Sequence, residues 1–453
     1  MISIETDSPA QKPKGSPFLI DRCPFIPGSQ LDIATLDLER DKVLDWPMVY
    51  ILANDREAYV GQTTSVATRI NQHGANEEKQ DFDTVNVIYH DEFNASVITD
   101  YEHRLIGLMH ADGRYRLTNK NEGMTETSYF SKDEYSEMFE SLWEELRSME
   151  LAEHSIADIE ETEVFKYSPF KGLTVDQKVA LDKIFAAIQG GLDNAEPIVV
   201  EGMPGTGKTV LVVFLLKMLK DNPEFKDLNI RIVEPVTSLR KTLRKSLKNV
   251  GGLNPNDVIA PTDLVKPSMG YSQAKDKCFD ILLVDEAHKL KRRVNLGTQF
   301  GNYDRVTKEL GLQRGASQMD WIISQAKLPV FFYDPLQSIG PACLGMDAMR
   351  SALGEALDTP IELYSQMRVK GGKAYLDYIR GILDGENPSP MAFDKYDFVL
   401  HDTFADFVEC FEKDYSEHDL TRMVAGYAWK WKSNPKKCKD PTVKENVIVG
   451  IGL

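Results

Sequence analysis

The segment Gly202-Met203-Pro204-Gly205-Thr206-Gly207-Lys208-Thr209 sets glycines, a lysine and a hydroxyl at the spacing GxxxxGKT. Glycines there let backbone N–H groups turn inward around the β- and γ-phosphates of a nucleotide, and a helix N-terminus just beyond favours an anion. In that chemistry Gly202, Gly205, Thr206 and Gly207 shape the loop, Lys208 neutralises phosphate charge and Thr209 ligates Mg²⁺. Asp285-Glu286 closes a later apolar run. At the carboxyl end of a strand beside the loop, Asp285 would hold the cation through water and Glu286 would orient the water for in-line transfer of the γ-phosphate. ATP and Mg²⁺ are the cofactors this pattern requires.

The elements that must carry these groups are legible in the apolar pattern. Residues 197–201 read as a strand before the loop, and Leu211, Leu215, Leu216 and Leu219 mark the helix after it. Residues 230–233, 280–285 and 329–334 read as further strands, with a helix over 239–247. Alternating β and α with near-continuous apolar strands predicts an α/β fold with a parallel sheet covered on both faces. Residues 361–364 read as the first strand of a further lobe. Upstream, 49–52 and 58–61 form a hairpin around Asn54-Asp55-Arg56, followed by a helix over 65–73, a strand over 85–89, a helix containing Tyr101 to Ile106 and a polar turn over 119–123. That is a small α+β domain. Ser131-Lys132-Asp133-Glu134 reads as a capping box opening an acidic helix with Met138, Leu142, Leu146 and Met149 on its apolar side, a connector ending near Tyr167-Ser168-Pro169. The expected division is an extension packed on its neighbour (1–45), the α+β domain (46–130), a helical linker (131–167), the phosphate-loop lobe (168–345) and a partial second lobe (346–453).

A chain of 453 residues accommodates two or three domains. No apolar run is long enough to span a bilayer, and the segment from Met1 to Lys14 is polar and has no apolar core, so a cytoplasmic protein without signal peptide or membrane anchor is expected. Cys23, Cys278, Cys343, Cys410 and Cys438 form no CxxC pair and none adjoins a histidine, which argues against a zinc site or a disulfide framework. The formal charge of −17 makes the surface as a whole repel nucleic acid, so contact with it must come from local basic patches.

With these elements in place a resemblance emerges. Gln177 in Leu173-Thr174-Val175-Asp176-Gln177 resembles the adenine-reading glutamine of superfamily 1 helicases, and Pro235-Val236-Thr237-Ser238 their strand-contacting segment. Asp334-Pro335-Leu336-Gln337 resembles the motif whose glutamine, here Gln337, couples the nucleotide to movement, although Asp-Pro replaces the usual Gly-Asp. Gln366-Met367-Arg368 is similar to the segment carrying the first arginine of the second lobe, which makes Arg368 a candidate to stabilise the transferring phosphoryl group. Order and spacing are most similar to the helicase domain related to the Schlafen group, which implies RecA-like lobes acting on nucleic acid. The late motifs of the second lobe are absent, so an incomplete form is expected, its second lobe completed by a missing C-terminal segment or a protein partner. Arg240, Lys241, Arg244, Lys245 and Lys248 fall largely on one helix face, and Trp429-Lys430-Trp431-Lys432 with Lys436, Lys437 and Lys439 mixes aromatics and cations. Each is either a track for a phosphate backbone or a solvated face.

A second resemblance lies upstream. Met48-Val49-Tyr50, then Tyr59-Val60-Gly61, Arg69 and His73, resembles the GIY-YIG nuclease motif, with Met48 in place of the usual glycine. The resemblance implies one site built from Tyr50, Tyr59, Arg69 and His73, a metal-binding Glu102, and a closing asparagine at Asn119 or Asn121. The chemistry fits the residue types. One carboxylate suffices for Mg²⁺, or Mn²⁺, that keeps most of its waters, an arginine offsets charge on a phosphorane, and a tyrosine hydroxyl can position or deprotonate water. The expectation is a metal-dependent endonuclease joined to a helicase-like ATPase, acting on DNA in preference to RNA, in defence against foreign DNA or in repair. The alternative is an ATP-gated nucleic-acid sensor whose N-terminal domain binds without cutting.

Overall fold

The computed structural model describes residues 18–29, 36, 40–119, 129–160, 162–170, 172–192, 195–248, 250–273, 277–335, 337, 340–365, 371–393, 396–417 and 423. Residues 1–368 and 369–453 are two compact units. No helix among the described residues is long and apolar enough to cross a membrane.

The first unit begins with a five-stranded sheet. Its elements are β1 (Leu19–Pro24), a short α1 (Arg40–Leu44), β2 (Met48–Ala53), β3 (Glu57–Thr63), α2 (Val66–Gly74), β4 (Thr84–Tyr89), α3 (Ala95–Asp112) and β5 (Arg116–Leu117), with sheet order β1-β4-β2-β3-β5. The hairpin forms as expected because the Asn54 side chain accepts the backbone N–H groups of Arg56 and Glu57 at 2.8 and 2.7 Å, closing the turn locally. β2 is buried along its whole length because alternate residues serve two cores: Val49 and Ile51 pack with α3, whereas Met48, Tyr50 and Leu52 pack with Val66, Ala67 and Ile70 of α2. The segment read as an extension supplies β1, an edge strand antiparallel to β4 with Leu19 opposite Tyr89.

The connecting region departs from the sequence expectation in two ways. α4 (Lys132–Ser148) starts at a Ser131 in the left-handed region, φ 57°, whose side chain makes no cap hydrogen bond, so the capping box does not form. The helix ends at Ser148, and two short helices, α5 (Ile156–Glu160) and α6 (Glu163–Lys166), follow. Its expected apolar side is buried, with Met138 and Met149 packed at the margin of the core. Phe139, Leu142, Trp143 and Leu146, at i, i+3, i+4 and i+7, are fully buried in an apolar core running from Val49 and Ile51 through Tyr101 to Leu211 and Phe214 of the phosphate-loop lobe. Leu117 pairs with Val250, and Gly251 N–H donates to Leu117 O at 2.9 Å, so β5 is also joined by backbone to the segment after the helix over Thr237–Leu247.

The second sheet follows α7 (Val175–Gln189). It comprises β6 (Ile198–Gly202), β7 (Ile230–Val233), β8 (Val258–Ile259), β9 (Phe279–Val284), β10 (Ala326–Tyr333) and β11 (Ile361–Leu363), in the order β11-β6-β10-β9-β7-β8, every pair parallel. α8 (Lys208–Asp221), α9 (Thr237–Leu247), α10 (Phe300–Glu309), α11 (Gln318–Gln325) and α12 (Met346–Leu353) complete this RecA-like P-loop domain. β11, expected to open a second lobe, instead pairs with β6 through Ile361 opposite Val200, and α12 buries Met349 and Leu353 in the same lobe. Its apolar Ile361 and Leu363 extend a sheet edge that already exists.

The second unit contains α13 (Gly372–Leu383) and α14 (Phe404–Glu417). Tyr375 meets Phe393 and Tyr396 edge-on within it. Arg368, Asn121, Leu336, Cys438 and the Trp429–Lys439 basic stretch lie outside the described residues, as do Met1 to Lys14.

Candidate functional site

The phosphate loop joins β6 to α8. Gly205 and Gly207 adopt φ of +87° and +76°, which an L side chain rarely reaches, and a Cβ on Gly202 would stand 2.5 Å from Thr206 Oγ1. Thr206 Oγ1 donates to Met203 O at 2.9 Å and pins the turn. Lys208 Nζ donates to Gly202 O at 2.7 Å and Met203 O at 3.1 Å and lies 3.8 Å from Asp334 Oδ2, so the ammonium sits within the mouth of the loop. Gln177, expected to read adenine, is fully buried and occupied otherwise: its Nε2 donates to Thr206 O at 3.0 Å and its Oε1 accepts Thr174 N–H at the same distance. It braces the loop against α7.

Asp285 and Glu286 follow the end of β9. Asp285 is fully buried; Oδ1 accepts the Glu286 N–H at 3.0 Å, Thr209 hydrogen-bonds the same carboxylate, and Oδ2 has no partner among the described residues. An orphaned carboxylate oxygen beside the loop hydroxyl fits a Mg²⁺–nucleotide complex. Burial and the Glu286 charge push Asp285 up to about 6. Burial also pulls Glu286 upward, but His288 and the Lys208 charge outweigh it and hold Glu286 below its ordinary value. His288 Nδ1 accepts Asp334 N–H at 3.2 Å, which leaves the ring proton on Nε2, 3.0 Å from Glu286 Oε2. Glu286 itself takes φ 48°. Gln337 Nε2 donates to Asp334 Oδ2 at 2.9 Å, so the Asp-Pro that replaces Gly-Asp supplies the carboxylate linking Gln337 to Lys208.

Sequence reasoning passed over Glu234, at the end of β7. It is fully buried, with Oε1 accepting Val236 N–H at 2.6 Å and Oε2 unpartnered among the described residues; burial, then Asp285, pushes it up to about 10. Its signal was an acid closing the apolar strand before Pro235.

In the N-terminal domain, the structure gathers four predicted residues. Tyr50 OH is 2.7 Å from His73 Nε2 and accepts Arg69 Nε–H at 3.3 Å; the Tyr50, Tyr59 and His73 ring centroids lie 5.3 to 6.4 Å apart. Gly61 faces Tyr50 so closely that a Cβ there would fall 2.2 Å from the phenol oxygen. His73 is depressed to about 4 by burial, then by Arg69 and Lys79, so at neutral pH it is an uncharged acceptor for the Tyr50 hydroxyl. The Glu102 charge acts on Tyr50 from α3, while Arg104 turns onto the Phe139 ring at 3.9 Å. Asn119 plays another part: Nδ2 donates to Val60 O at 2.8 Å and Oδ1 accepts Val60 N–H at 3.1 Å, so it clamps β3 and does not offer its amide to the cluster. Lys79 was missed. From the turn after α2 it places Nζ 3.5 Å from the Tyr59 ring centroid while only 6% exposed, and no periodicity marks it. No three His, Cys, Asp or Glu side chains among the described residues are arranged to hold a metal, so a cation here would rest on Glu102 with water and phosphate.

The basic face of α9 is narrower than its sequence implied. Arg240 donates to Glu234 O at 2.6 Å and Arg244 to Val258 O at 2.8 Å, spending both inside the lobe. Lys241, Lys245 and Lys248 remain exposed at i, i+4 and i+7, a single row.

The parallel sheet, glycine-rich loop and acidic strand end define a P-loop ATPase-like domain of the helicase kind. The Schlafen group 3, DNA/RNA helicase domain matches residues 196–450, more than half of the chain, and the protein belongs to that family. No curated protein sequence matches it. Among solved structures it is similar to one described as DNA unwinding at forked double-stranded DNA by two coordinating Pif1 helicases, at 14% identity over 48% of this chain and a TM-score of 0.25. Domain III of the Thermotoga maritima replication initiation protein DnaA aligns at 15% identity over 49% of this chain and 77% of that one, TM-score 0.24. AMPPCP-bound DnaA from Aquifex aeolicus aligns at 13% over 49% and 57%, TM-score 0.23. The chain spans 50% of the length of the Pif1 helicase chain it matches.

Proposed function

We propose that this protein remodels nucleic acid by ATP hydrolysis and cuts it with an N-terminal, metal-dependent endonuclease site of the GIY-YIG kind. The observation that carries the first half is the convergence of Lys208, Thr209, Asp285 and Glu286, with His288 beside it, at the carboxyl ends of β6 and β9. Bound Mg²⁺ would neutralise phosphate charge there, held by Thr209 and Asp285. Lys208 exchanges its loop carbonyls for the phosphates, and the ionised Glu286, 3.0 Å from His288 Nε2, orients the attacking water.

The cluster of Tyr50, Arg69 and His73 with Glu102 supports the second half. Arg69 offsets charge at the scissile phosphate, Tyr50, its hydroxyl held between His73 and Arg69, positions the attacking water, and Glu102 is the ligand for Mg²⁺ or Mn²⁺. DNA is the favoured substrate, in defence or repair. The test is twofold: ATP turnover with a panel of single-stranded, duplex and branched DNA and RNA, and cleavage of labelled plasmid and branched duplex by wild type and Glu102→Ala with each metal. Stimulated turnover without cleavage would leave an ATP-gated binding protein.

A further inference from the structure

Glu234 belongs to neither set of residues just described, yet it lies between the start of α9 and the acidic end of β9. Its backbone N–H donates to Ile259 O at 2.9 Å, fixing it at the end of β7. The last register pair between β7 and β9 is Val233 opposite Val284, and Asp285 N–H donates to Val233 O at 3.0 Å. Glu234 and Asp285 are therefore the next lateral neighbours, on strands about 5 Å apart. Each carries one buried carboxyl oxygen without a partner among the described residues. On the opposite side, Glu234 Oε1 accepts the N–H of Val236, the residue capping α9, and Glu234 O accepts Arg240 from the first turn of that helix.

We infer that Glu234 is a positioning residue through which α9 and the Asp285–Glu286 pair sense one another, so that a nucleic-acid strand on the lysine row adjusts the water-orienting carboxylate. This rests on the remodelling function proposed above. Two of the bonds that tie α9 to the sheet, from Val236 and Arg240, end on Glu234, while a third runs from Arg244 to β8, so a shift at the start of α9 bears on Glu234. Any displacement of its carboxyl changes the field at Asp285, whose Oδ2 has no partner among the described residues, and at the adjacent Glu286. The chemical class sensed is a phosphodiester backbone, because the exposed row is three lysines with no acid among them.

Glu234→Gln keeps the volume and the acceptor for Val236 while replacing the orphaned oxygen. Oligo(dT) and oligo(rU) are the probes, and the readout is the ratio of stimulated to basal ATP turnover, together with strand affinity measured with and without a non-hydrolysable ATP analogue. By reciprocity, both couplings should fall together, by about fivefold or more, while strand affinity without nucleotide stays within about twofold. Arg240→Lys, which keeps the charge but loses the fork geometry, should lower the same ratio and carries the test should Glu234→Gln fold poorly. Wild-type coupling in both variants would overturn the inference alone. A wild type whose turnover ignores every nucleic acid would overturn the remodelling function, and this inference with it.

Discussion

His110 Nε2 lies 3.2 Å from the carbonyl oxygen of Ser246, joining the helix that bears Glu102 to the helix that bears the exposed lysine row. The Ser246 hydroxyl continues the link, donating to Val164 O and Tyr167 O at 3.4 and 3.3 Å. His110 is fully buried and meets Phe170 edge-on, so the contact is dry. The N-terminal sheet and the ATPase lobe thus share side-chain packing, backbone pairing and a hydrogen-bonded histidine.

Lys208→Ala should lower ATP turnover by about 10²-fold or more, since it removes a charge aimed at the transferring phosphoryl group. Glu286→Gln should retain nucleotide affinity and trap bound ATP. Turnover by Lys208→Ala equal to wild type, in a phosphate-release assay, would refute the site.

Arg69→Ala and Glu102→Ala should abolish metal-dependent cleavage by about 10²-fold or more while stimulated ATP turnover stays near wild type. Neither side chain lies in the shared apolar core, so the packing beneath them survives. Cleavage by Glu102→Ala at the wild-type rate would remove the nuclease function.

Binding to single strands should weaken steeply with salt, through counterions released at confined lysines. Reversing Lys241, Lys245 and Lys248 to glutamate should flatten the slope of log affinity against log salt by about three. Arg240→Glu and Arg244→Glu, whose guanidinia serve the lobe interior, should instead lower the melting temperature. An unchanged slope in the lysine triple variant would put the track elsewhere.

Acid should loosen the junction between the domains. Burial depresses His110 to about 4 from an ordinary 6.5, and a protonated Nδ1 would have no acceptor for its N–H among the described residues. Between those values the unfolded chain binds a proton that the folded chain refuses. Stability is therefore level above pH 6.5 and falls as pH drops from 6.5 toward 4, by about 3 kcal/mol for this group. His73, depressed to about 4, adds in the same direction. Urea unfolding at pH 7 and 5 should show the loss in wild type and a smaller one in His110→Leu; identical losses would count against it.

The phosphate loop, Asp285 and the hairpin tyrosines were legible because each depends on spacing along one or two neighbouring elements. Glu234 and Lys79 were not, since Glu234 matters through the adjacent strand β9 and Lys79 through a ring reached by a turn. The basic helix was overread for a related reason: periodicity put Arg240 and Arg244 beside the lysines, but only tertiary acceptors reveal that they bend inward. The capping box at Ser131 matched in composition and failed in backbone, φ 57° being incompatible with a conventional cap. β11 was assigned to the wrong lobe because an apolar triplet says nothing of its pairing partner.

The Leu117–Val250 bridge and the apolar core beneath it bear on how this protein can be dissected. A cut near residue 168 would part Phe170 from the ring of His110 and strip α9 of the partners His110, Val164 and Tyr167 that meet Ser246, opening buried surface on both pieces. At roughly 1.5–3 kcal/mol for each large apolar side chain exposed, either half forfeits a substantial part of a typical folding free energy. Point substitutions that silence one centre within the intact polypeptide are therefore the sounder way to assign activities, and insoluble halves would themselves report the fused interior.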